Sequence, residues 1–207
     1  MSKYLITFII ITAIIHIRAK YKDLKLQEYI FKPLTTSLII LIALQANPSE
    51  YKNHIIIGLI FSLFGDIFIM LSEDKFIFGL VSFLIAHIIY IYAFLHGNNF
   101  IIPFYLIIPF LIFGMTMYSY LYKSLNELKA PVFIYVSIIL IMGVSALNLW
   151  YLKHDNYSLY AFIGSLFFIV SDSILAVDKF KKPMYYAQLS LLSTYYISQT
   201  LIALSIK

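Results

Sequence analysis

There is no cysteine in these 207 residues. That absence excludes disulfides, thiolate nucleophiles and Cys-ligated metal. Charge is scarce as well: Asp, Glu, Lys and Arg make up 12% of the chain, with 10 acids against 15 bases. No Gly-rich phosphate loop, no Gly-x-Ser-x-Gly nucleophile elbow and no His-Glu-x-x-His helix occurs. None of the 18 Phe and 18 Tyr marks a cofactor site, so no cofactor is expected, and a metal, though possible, is not argued for by the sequence.

What is present is apolar. Hydrophobic residues are 62% of the chain, and the mean hydropathy is +0.89. A globule of this size has too little interior to hide that surface from water, whereas a bilayer accepts it. A spanning helix needs about 20 apolar residues to cross roughly 30 Å of hydrocarbon, so there is room for about eight spans and short connections. The expected fold is therefore all-α, a polytopic transmembrane bundle forming one domain over residues 1–207.

Breaks in hydropathy place spans near 4–17, 33–46, 55–72, 76–95, 100–121, 131–150, 158–177 and 184–206. The first has the outline of a signal peptide. It is followed by His16, Arg18 and Lys20 rather than a small-residue cleavage site, and reads as a retained helix. Pro33, Pro131 and Pro183 fall where helices are expected to begin, a position that tolerates the missing N–H. Pro109 lies inside the fifth expected span, where it would kink the helix.

The net charge of +5 does not call for nucleic acid, because basic residues collect on cytoplasmic loops of membrane proteins. Eleven of the 15 bases fall in the 1–2, 3–4, 5–6 and 7–8 loops; Lys3, Lys52, Lys153 and Lys207 are on the other side. This asymmetry turns both termini outward. The expected location is a bacterial cytoplasmic membrane. Two stretches echo one another: Gly65-Asp66 running to Lys75-Phe76, and Ser171-Asp172 running to Lys179-Phe180. Four helices separate them, as in a parallel 4+4 repeat.

Asp66 and Asp172 are the two acids well inside expected spans. A carboxylate at mid-helix costs at least about 2.5–3.5 kcal/mol, which makes both functional candidates. At 1.5 Å per residue both lie about 16–20 Å below the outer ends of their helices, at one level. A protonated and an ionised carboxyl at one level form the set that acid–base hydrolysis needs; the bland alternative is that each Asp joins two helices by hydrogen bonds. Of the five histidines, His87 alone lies mid-span, with Phe83 and Tyr90 on its face. The other four, His16 among them, fall at helix ends or loops, where solvation is the default. Lys32, Tyr135, Asn148, Ser171, Gln188, Tyr195 and Gln199 are further polar candidates.

Phe31-Lys32-Pro33, Gly65-Asp66 followed by Phe78-Gly79 and His87-x-x-Tyr90, Ser171-Asp172-x-x-Leu175-Ala176 running to Phe180, and Tyr186-x-Gln188 resemble the YhhN/TMEM86 family over nearly the whole chain. The resemblance implies lysoplasmalogenase activity, with a lysophospholipid substrate drawn from the membrane. That reaction hydrolyses the vinyl ether of a lysoplasmalogen to a fatty aldehyde and a glycerophospho-ethanolamine or -choline. It suits the residues: protonation of the β-carbon gives an oxocarbenium ion that water attacks, and no covalent nucleophile is required. On this reading Asp66 and Asp172 are the acid–base pair, in an order the sequence leaves open. His87 and Tyr90 would position substrate or water, Lys32 would sit near the phosphate, and Tyr135, Asn148, Ser171 and Gln188 would support the site. Two rivals stand beside it: an ion- or proton-coupled transporter using the Asp pair, and a non-catalytic lipid-binding or scaffolding protein.

Overall fold

Backbone in hydrocarbon must satisfy its own N–H and C=O groups, and a helix does so within one segment. The computed structural model follows that demand. It describes residues 2–71, 73–184 and 186–207. Among the described residues there are eight α-helices and no strand: α1 (Ser2–Tyr21), α2 (Lys25–Leu44), α3 (Glu50–Leu71), α4 (Phe76–Leu95), α5 (Ile108–Tyr122), α6 (Lys129–Lys153), α7 (Asn156–Phe180) and α8 (Ala187–Leu204). Ser72, the last residue of the expected third span, lies outside the described residues, as does position 185 in the eighth.

Seven of these helices are long and apolar enough to cross a membrane; α8 is the exception. The reason lies in its packing. α8 sits against α7, α2, α1 and α3, and it carries Tyr195, Tyr196, Ser198 and Gln199 buried on its inner faces. Several of its polar side chains, Tyr195, Tyr196 and Gln199 among them, face neighbouring helices, and they lower its hydropathy.

Two proline expectations are overturned. α2 begins at Lys25, so Pro33 lies inside the helix and not at its start. Pro33 offers no N–H to the Tyr29 carbonyl one turn back, and the nearby Thr35 hydroxyl donates to the Phe31 carbonyl at 2.6 Å. Pro109 occupies the first turn of α5 and kinks nothing. The segment before it, expected to be helical from residue 100, holds only a short 3₁₀ turn at Phe104–Leu106.

α3 packs tightly along α4, and small residues permit it. A Cβ on Gly58 would fall 2.3 Å from the Tyr90 ring, and one on Gly65 would fall 2.7 Å from Phe83. Gly58, Ser62 and Gly65 share one face of α3, so α4 approaches its backbone directly. At the far end of the bundle, Asp155 caps α7 by accepting from the Ser158 N–H at 2.8 Å. Partial burial acts against its charge, but the Lys207 ammonium and the Ser158 donors prevail and hold the carboxyl down at about 2.

Candidate functional site

Two helices, α2 and α8, deliver donors to Asp66 on α3. Its Oδ2 accepts from the Thr36 hydroxyl of α2 at 2.6 Å and from the Tyr195 hydroxyl of α8 at 2.7 Å. Its Oδ1 stands 3.6 Å from Lys32 Nζ. Only 2% of Asp66 is exposed, and an uncompensated charge at such depth costs several kcal/mol. Here an ammonium and two hydroxyls answer it, which suits a carboxylate that stays ionised.

Asp172 on α7 has a different setting. The Tyr135 hydroxyl of α6 donates to its Oδ2 at 2.5 Å. His87 Nε2 of α4 lies 3.9 Å from the same oxygen, too far for a hydrogen bond. His87 is fully buried, edge-on to Phe168 and Tyr135. Neither of its ring nitrogens has a hydrogen-bond partner among the described residues.

Both aspartates border one polar cavity of about 210 Å³, together with His16, Lys20, Glu28, Lys32, Ser171, Asp178 and Gln188. These residues come from the C-terminal ends of α1, α3 and α7 and the N-terminal ends of α2 and α8, so the cavity sits at one end of the bundle. A second cavity of about 470 Å³ lies among α4, α5, α6 and α7. Leu80, Leu84, Phe113, Met117 and Ile139 are typical of its lining, and its polar side chains are Tyr135, Asp172 and Ser173. Asp172, Phe76 and Leu175 belong to both. Asp172 therefore stands where a polar chamber meets a greasy one.

Among the expected residues, the structure brings Lys32, Asp66, Ser171, Asp172, Gln188 and Tyr195 to the polar cavity and Tyr135 to its apolar neighbour. Ser171 also donates to the Leu191 carbonyl at 3.1 Å, tying α7 to α8. Gln188 Nε2 lies 3.4 Å from Asp178 Oδ2. Tyr90 borders neither cavity; its hydroxyl donates to Gln199 Oε1 at 3.1 Å and joins α4 to α8. Asn148 is thirteen residues beyond Tyr135 on α6, about 20 Å along the axis. It accepts from the Ile101 and Ile102 N–H groups and donates to the Asn99 carbonyl, fastening the stretch before α5.

Sequence reasoning missed Glu28 and His16. With α2 expected from residue 33, Glu28 fell in a loop; it lies in the helix and is 5% exposed. His16, expected to be solvated, is 1% exposed, its Nδ1 2.7 Å from the Tyr196 hydroxyl. The signal for Glu28 was its spacing of four from Lys32, which puts both on one helix face. Among the described residues no three His, Asp or Glu side chains converge as a metal site would require.

Comparison with known proteins adds a family. The model described as the YhhN family matches residues 27–206. The human protein named lysoplasmalogenase TMEM86A is 34% identical over 169 residues, 78% of this chain and 68% of that protein. The human lysoplasmalogenase TMEM86B is 32% identical over 160 residues, 77% of this chain and 66% of that one. The uncharacterized membrane protein YhhN of Escherichia coli O157:H7 is 25% identical over 167 residues, 79% of each chain. No solved structure matches this chain.

Proposed function

The chain belongs to the YhhN family of integral, multi-pass membrane proteins, and from that premise we propose that it hydrolyses the vinyl ether of a lysoplasmalogen. The observation that carries the proposal is Asp172, placed at the junction of a polar and an apolar cavity with Asp66 on the polar side. An amphiphile with one long chain and a charged headgroup fits this pair of chambers. Its chain lies among Leu80, Leu84 and Ile139, its headgroup beside Lys32, and its vinyl ether against Asp172.

Asp172 is the proton donor. Tyr135 occupies its Oδ2, leaving Oδ1 to carry the proton to the β-carbon and give an oxocarbenium ion. Asp66, held ionised by Lys32, steadies that cation and takes a proton from the water that attacks it. The hemiacetal then collapses: its hydroxyl proton returns to the Asp172 carboxylate, and Asp66 gives its proton to the departing glycerol oxygen. The C–O bond breaks, the aldehyde leaves, and both carboxyls return to their starting states. His87 acts behind Asp172 as a positioning residue. The Lys-rich end of the bundle, which holds the polar cavity, is proposed to face the cytoplasm.

A substrate panel tests this reading. Detergent-purified protein should release fatty aldehyde from a vinyl-ether lysophospholipid and nothing from the saturated alkyl-ether or acyl analogue. Equal turnover of the acyl analogue would make it an esterase. Inertness on all three, combined with ion flux into proteoliposomes that Asp66→Asn abolishes, would establish the transporter reading instead.

A further inference from the structure

Among the described residues, two buried polar atoms on the polar cavity's lining side chains have no hydrogen-bond partner, and their chemistry is complementary. Glu28 Oε1 accepts from Lys20 Nζ at 2.8 Å, while Glu28 Oε2 has no partner. His16 is held through Nδ1 by the Tyr196 hydroxyl, while Nε2 has none. Leaving such groups unpaired in a buried site is costly, and more so for a charged group, so a ligand that pairs with them binds at an advantage.

Glu28 and Lys32 stand four residues apart on α2, with Cβ atoms about 5–6 Å apart on one face. A carboxylate and an ammonium at that spacing match a zwitterion of opposite order, an ammonium two carbons from a phosphate. We infer that this corner is a headgroup subsite selective for phosphoethanolamine: Glu28 Oε2 accepts from the primary ammonium, and Lys32 with His16 Nε2 engages the phosphate. A trimethylammonium has no N–H to give, so a choline headgroup leaves Glu28 Oε2 unpaired. The inference rests on the hydrolase reading for its substrate, and it adds the residue that chooses among headgroups. His16 and Lys20 precede residue 27, where the family match begins, so part of this corner is supplied by α1 alone.

The test compares kcat/KM for ethanolamine and choline vinyl-ether lysolipids of one chain length. Wild type should prefer ethanolamine by about tenfold or more, the discrimination given by leaving a charged acceptor unpaired. In Glu28→Gln the ratio should fall toward one, and Glu28→Asp, which keeps the charge, should retain part of it. A wild-type ratio near one overturns the inference, and so does a Glu28→Gln variant that slows both substrates by the same factor. Titration of wild type with glycerophosphoethanolamine and glycerophosphocholine separates the two readings. Ethanolamine-selective binding by a protein inert on both lipids supports the subsite while the hydrolase reading fails. Equal binding of both headgroups overturns the subsite whatever the turnover.

Discussion

Tyr135→Phe removes one hydroxyl and leaves the ring that packs edge-on to His87. If that hydroxyl fixes which Asp172 oxygen carries the proton, its loss should lower kcat by about tenfold, the worth of one hydrogen bond to a charged or reacting group. The melting temperature should stay within a few degrees of wild type. Unchanged kcat would make Tyr135 simple cavity lining. At this scale the sequence was legible where chemistry is rare: two acids inside apolar spans, and a lysine beside a proline, stand out against such a background. Thr36, Glu28 and His16 did not, because their roles depend on which face of which helix meets another. Asn148 was singled out by the same rarity and serves the backbone before α5, since a polar side chain inside a membrane answers any unpaired backbone group as readily as a substrate.

Among the elements, the α3–α4 seam links packing to chemistry. Phe83 closes against Gly65 and stands edge-on to Tyr195, the donor to Asp66. Gly65→Ala puts a methyl where Phe83 now sits, an overpacking that costs about 1–3 kcal/mol. The variant should unfold at lower temperature and also turn over more slowly at temperatures where it is folded, because the displaced ring carries Tyr195 with it. Full activity in a destabilised variant would break that link. Helix number and the Gly–Asp pairing were readable from hydropathy and from small residues beside a buried acid. Helix ends were less so. Pro33 looked like a start because a helix interior seldom admits proline, yet α2 begins at Lys25 and runs through it.

Over the whole molecule, the useful asymmetry is between ends and sides. Charged side chains from α1, α2, α3 and α7 gather at one end of the bundle, and the larger apolar cavity opens among α4–α7 beside them. α5 packs on α6 and more lightly on α7, and together with them and α4 it walls the apolar cavity. No periodicity shows such a cavity, because it is made by residues that do not touch. The central claim is that Asp66 and Asp172 act as one acid–base pair across the junction of the two cavities. The most direct measurement is aldehyde release from a vinyl-ether lysophospholipid by wild type, Asp66→Asn and Asp172→Asn, each shown to be folded by its melting profile. Both variants should fall by at least about 100-fold, the lower range for loss of a positioned acid or base. Either folded variant turning over at the wild-type rate would contradict the pair.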